Sequence, residues 1–183
     1  MINNVFNKIN KINKMGIADW GVIYFGCRGL PIGKLSCTTL SDYSCDRLML
    51  IDNSDSLFPL VAELSYCTEV TNEALYLLEQ VCQISEVDLY LAKKKWKLFC
   101  LESTLDSLPE DYMYALLALN EFWVGWGEEK NSPNIIQSVG NAISPDVYYS
   151  DENLKMVMNS HREWLSKEMA SLISKTAGPI SKA

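Results

Sequence analysis

His161 is the one histidine of this chain, and Cys27, Cys37, Cys45, Cys67, Cys82 and Cys100 are its thiols. A cysteine paired with a histidine would make a nucleophile and its base, but a base needs a placed partner. No local signature joins His161 to any cysteine. His161 falls at helical spacing from Val157, Met158, Trp164 and Leu165, which places it in a core or a groove. No two cysteines stand as Cys-x-x-Cys, so neither a structural metal nor a redox pair is expected. Several occupy positions where a helix puts a small apolar residue, and they read as buried free thiols in a reducing cytoplasm.

Other chemical candidates fail on spacing. Gly29-Leu30-Pro31-Ile32-Gly33-Lys34-Leu35 looks like a phosphate loop. Such a loop needs four residues between its glycines and a hydroxyl after its lysine. Here three intervene, and Leu35 offers no magnesium ligand. The acid pairs Glu128-Glu129 and Asp151-Glu152 lack the alternation and closing glutamate of a calcium loop,. No catalytic, cofactor-binding or metal-ligating residue is assigned; neither enzyme activity nor a cofactor is expected.

Charge points to partners. The net charge of −7 is uneven: +4 over residues 1–34, −9 over 35–92, +4 over 93–97, and −9 over 98–152. Such a field disfavours nucleic acid and anionic membranes and attracts basic proteins. Lys93, Lys94, Lys95 and Lys97 read as a solvated helix face whose aliphatic stems lie on the core. Asp146-Val147-Tyr148-Tyr149-Ser150-Asp151-Glu152 sets two tyrosines among three acids. Tyrosine gives contact area at low entropic cost, and acids steer a basic partner. The alternative is a connection whose tyrosines pack down on the core.

The elements that must position these residues are helical. Ile2, Val5, Phe6, Ile9 and Ile12 recur at helical spacing,. Residues 19–26 fit a short helix or a strand. Segments 38–50 and 57–67 predict helices, the first with Leu40, Tyr43, Leu48 and Leu50 inward. Residues 74–82 form a broad apolar stripe. Ser85-Glu86-Val87-Asp88 and Ser107-Leu108-Pro109-Glu110 read as capping boxes. They open helices with Leu89, Ala92, Trp96, Phe99 and Cys100 inward in the first, and Tyr112, Ala115, Leu116, Leu119, Phe122, Trp123 and Trp126 in the second. Gly125 and Gly127 mark the end of the second. Ser132-Pro133 opens a short helix through Val139, which Ser144-Pro145 ends. A last long helix starts near Asp151. The expectation is an all-α, irregular multi-helix bundle with antiparallel neighbours, one domain over 1–175, and a flexible tail over 176–183. The start lacks the apolar run of a signal peptide, and no stretch approaches the ~20 apolar residues of a membrane span. A cytoplasmic protein is expected.

Three segments carry a family resemblance: Asp19-Trp20 with Ile23 and Gly26, then Lys95-Trp96-Lys97-Leu98, then Glu121-Phe122-Trp123-Val124-Gly125-Trp126-Gly127. Together they resemble the bacterial DUF2247 family over roughly residues 17–140. Members look like immunity proteins of bacterial toxin systems, including contact-dependent growth inhibition. The resemblance implies a binding protein that neutralises a cognate toxin, a nuclease and an RNase before a DNase, and it carries over no catalytic residue. The contact residues expected on exposed connections are Asp146, Tyr148, Tyr149, Asp151 and Glu152. Asp106, Glu110, Asp111, Glu128 and Glu129 form a second patch. The alternatives are a helical scaffold or adaptor with another partner, and an enzyme built from carboxylates and tyrosines.

Overall fold

The computed structural model describes residues 5–127, 131–137, 139 and 142–176. Among them there are nine helices and no strand, so the all-α expectation holds. None of these helices is long and apolar enough to cross a membrane. The chain divides into two compact units, Met1–Trp96 and Lys97–Ala183. The expected tail falls on Thr176, the last residue of the final helix, and on 177–183, outside the described residues.

The first unit holds α1 (Val5–Lys14), α2 (Trp20–Arg28), α3 (Cys37–Leu48), α4 (Phe58–Ser65), α5 (Asn72–Ile84) and the first part of α6 (Leu89–Asp106). Residues 19–26 resolve as helix because both ends are capped. The Asp19 carboxylate accepts from Val22 N–H at 2.8 Å, satisfying one donor of the open first turn. Gly29 takes the left-handed conformation (φ 70°) and donates to the carbonyls of Phe25 and Gly26, the form of helix stop that glycine allows. Ser36 and Thr71 cap α3 and α5 in the same manner as Asp19. Within this unit α3 packs on α1, α2 and α4, and α5 on α2 and α4. Leu40, Val61, Leu64, Leu78 and Val81 are buried between them.

The second unit holds the rest of α6, α7 (Tyr112–Trp126), α8 (Pro145–Tyr148) and α9 (Asp151–Thr176). Here α7 packs against α9. Phe99, Leu116, Leu119, Phe122 and Trp123 are buried, as is Trp96 in the first unit; all six were expected in the core.

Several boundaries differ from the sequence reading. Ser85 closes α5 rather than opening α6, because Glu86 has φ 49° and cannot join a right-handed turn,. The cap of α6 is Asp88, which accepts from Leu91 N–H at 2.9 Å. Ser107 likewise ends α6, donating to the carbonyl of Ser103. Asp111 caps α7 through Met113 and Tyr114. Leu89, Tyr112 and Leu50, expected inward, are consequently exposed at or beyond helix ends. The helix expected after Ser132 is absent among the described residues 132–137. Pro145 opens α8 instead of ending that segment, as suits a residue without an N–H to leave unpaired.

Candidate functional site

The three segments that carry the family resemblance become scaffold. The Asp19 carboxylate serves twice: one oxygen caps α2, and the other meets Lys95 Nζ at 2.6 Å. The pair is partly buried, at 26% and 13% side-chain exposure for Asp19 and Lys95. Trp20 stands edge-on to Tyr43 at 4.8 Å, with Arg47 over the far partner's ring at 4.9 Å. Ile23 is fully buried. At Gly26 a Cβ would lie 2.4 Å from Leu35 Cδ1 and 3.1 Å from the Trp96 ring. The glycine of the first segment thus makes room for the tryptophan of the second.

In the second unit the third segment closes around a cation. Lys97 is 4% exposed, with its Nζ 4.5 Å from the Trp123 ring centre and 5.9 Å from those of Trp126 and Trp164. Indole faces attract a cation, and more strongly where water is excluded. Lys97 therefore departs from the solvated face expected for the lysine run. Trp123 Nε1 donates to His161 Nε2 at 2.8 Å. An indole N–H can only donate, so Nε2 accepts, the proton sits on Nδ1, and Nδ1–H donates to the carbonyl of Val157 at 2.7 Å,. Burial pushes the His161 pKa down, against a smaller upward pull from the Val157 carbonyl. Both ring nitrogens are committed, and the imidazole is a neutral core group.

The expected contact residues separate into three groups. Asp146, Asp151 and Glu152 are exposed in the first turns of α8 and α9, and Tyr149 is half-buried between them. Acids at these turns also complement the helix dipoles. Asp151 pairs with Lys155 at 2.6 Å one turn on. Tyr148 is corrected: it is 1% exposed and faces the core. Its hydroxyl donates to the Ile135 carbonyl at 2.7 Å and accepts from Asn120 Nδ2 at 3.1 Å. Asn153 Nδ2 donates to its backbone carbonyl. Of the second patch, Asp106 and Glu110 are exposed, and Asp111 is exposed while capping α7. Glu128 and Glu129 lie outside the described residues.

One surface was missed. The outer face of α7 carries Met113, Tyr114, Leu117 and Val124, at 45%, 63%, 39% and 74% exposure, with Glu121 beside them. The signal was present: α7 carries a single charged residue and apolar residues on both sides, whereas a surface helix keeps one polar face,.

Two of the pockets among the described residues lie in the first unit. The larger, about 520 Å³, is bordered by Lys8, Lys34, Ser36, Cys37, Thr68 and Glu69; its Lys8 ammonium donates to the Lys34 carbonyl. The smaller, about 280 Å³, runs past Glu63, Cys67 and Glu73. All six cysteines are free thiols. Cys27 and Cys82 are pushed up to about 12, chiefly by burial. Among the described residues no group of three or more histidine, cysteine or acidic side chains is placed to hold a metal ion.

These features define an all-α protein whose aromatic and charged residues lock its helices and leave acids and tyrosines outward. The chain belongs to the family DUF2247, described as an uncharacterized protein conserved in bacteria, whose model matches residues 9–169. No curated protein and no solved structure matches it.

Proposed function

We propose that this protein is an immunity protein that binds and neutralises a cognate bacterial toxin, a nuclease and an RNase before a DNase, in the cytoplasm. The observation that carries the reading is the fate of the residues behind the resemblance. Asp19, Gly26, Lys95, Trp96, Lys97 and Trp123 are all used in helix-to-helix contacts. The single histidine is neutral with both nitrogens engaged. Such a scaffold suits a protein that works by its surface rather than by turnover, and no enzyme activity is assigned to it. The exposed acids Asp146, Asp151 and Glu152 supply the electrostatics. A nuclease is commonly basic because its substrate is polyanionic, and an acidic inhibitor gains on-rate from that field.

The test is co-expression with the product of the adjacent upstream gene. Cells that survive that product only when this protein is present support the reading. Cells that die regardless, or an upstream product without toxicity, leave the scaffold or adaptor reading in its place.

A further inference from the structure

α7 has two faces. Ala115, Leu116, Leu119, Phe122 and Trp123 point inward and are buried. Met113, Tyr114, Leu117, Glu121 and Val124 fall on the opposite side, since at 100° per residue they occupy one arc of about a third of the circle. Four of these five are apolar and all are exposed. A helix on a protein surface normally turns charges outward, so an apolar outer stripe marks an interaction site. The spacing of Tyr114, Leu117, Glu121 and Val124, at i, i+3, i+7 and i+10, is that of a helix laid into a partner's groove.

Charge selects the occupant. α7 contains no lysine or arginine, and Glu121 is its only charged residue. Glu110 and Asp111 stand exposed just before its first turn. Across residues 98–152 ten acids face a single base, Lys130. A second copy of this chain would bring acid against acid, which costs affinity, and a polyanion would be repelled.

We propose that the outer face of α7 is the docking surface for a basic protein whose apolar groove is rimmed by lysine or arginine, namely the toxin domain of the reading above, on which this inference rests. Met113, Tyr114, Leu117 and Val124 fill the groove. Glu110 and Glu121 meet the basic rim. The α8–α9 acids then act at longer range on association rate.

The experiment is a calorimetric titration of the full-length protein with a catalytically inactive toxin domain from the adjacent gene. The double variant Leu117→Glu, Val124→Glu is expected to lose at least about a hundredfold in affinity, because truncating or charging central anchors dominates binding energy. Its helical circular dichroism is expected to be unchanged, both positions being exposed. Tyr114→Ala adds no charge and is expected to lose about tenfold. Glu121→Lys is expected to slow association and weaken its salt dependence. Wild-type affinity in the folded double variant and in Tyr114→Ala would overturn this surface while leaving the immunity reading intact. Absence of binding by the wild-type protein would overturn both. A wild-type protein that sediments as a dimer, with the double variant monomeric, would assign the face to a second copy and also overturn the proposal.

Discussion

Lys95 Nζ lies 2.6 Å from Asp19 Oδ2, while Asp19 Oδ1 caps α2 through the Val22 N–H. One carboxylate thus starts a helix and ties it to another that begins some seventy residues later. The two functions can be separated. Asparagine caps helices nearly as well as aspartate but forms no ion pair. Asp19→Asn is expected to cost about 1–2 kcal/mol, the worth of a charge-assisted hydrogen bond at a partly buried site. Asp19→Ala is expected to lose about 1 kcal/mol more with the cap. Chemical denaturation of both, with Lys95→Met to complete a double-mutant cycle, checks this. Additive effects of Asp19→Asn and Lys95→Met would show that the pair contributes nothing.

Gly21 and Gly26 both admit a neighbour that a side chain would exclude, with different expected penalties. A Cβ on Gly21 would lie 2.5 Å from Ala92 Cβ, an atom that no rotamer change can move. A Cβ on Gly26 would meet Leu35 and Trp96, whose side chains can yield partly. Gly21→Ala is expected to destabilise by about 2–3 kcal/mol and Gly26→Ala by about 1–2 kcal/mol, each after the gain in helix propensity. Thermal melts that rank the two in the opposite order would contradict this packing.

The helical class, the six core positions and the two units' main helices were legible because apolar residues recur at the helical period and because caps punctuate them. What failed were choices among equivalent signals. Ser85 and Asp88 both look like caps, and only the left-handed Glu86 decides between them. Tyr148 and Tyr149 are adjacent and chemically alike, yet Tyr148 is fixed inward by Asn120 and Ile135. Those partners are 28 and 13 residues away, beyond the reach of local pattern. Lys97 reads as one more solvated lysine until α7 and α9 bring Trp123, Trp126 and Trp164 around it.

His161 makes stability pH-dependent. Its folded pKa lies below the ordinary imidazole value of about 6.5 because burial disfavours the imidazolium,. As pH falls through about 6.5, the unfolded state takes up a proton that the folded state refuses, so stability declines. Above that range the contribution is fully present. Protonation also turns Nε2 into a donor facing the Trp123 N–H. Between about pH 7 and 5.5 the thermal midpoint is expected to drop in the wild type and to drop less in His161→Gln. Equal slopes in the two proteins would remove His161 as the cause.

Tyr148 and Tyr149 are expected to respond differently. Tyr148→Phe removes a hydroxyl with two partners and is expected to cost about 1–2 kcal/mol of stability,. Tyr149→Phe is expected to be nearly neutral in stability. Charge reversal at Asp146, Asp151 and Glu152 is expected to leave the fold unchanged, with a small loss of stability from the Asp151–Lys155 pair and from the lost helix-dipole interactions,. It is expected to slow association with the toxin domain, most at low salt. Stopped-flow association rates that are identical for wild type and the reversed variant would exclude this cluster from steering.

The proposed neutralisation of a toxin rests on stoichiometric binding. The direct measurement is nuclease turnover by the purified toxin domain from the adjacent gene, titrated with this protein. Turnover is expected to fall linearly to background with an end point at a fixed molar ratio, and the Leu117→Glu, Val124→Glu variant is expected to shift the titration to far higher concentration. Undiminished turnover at about tenfold molar excess of folded wild-type protein would contradict it.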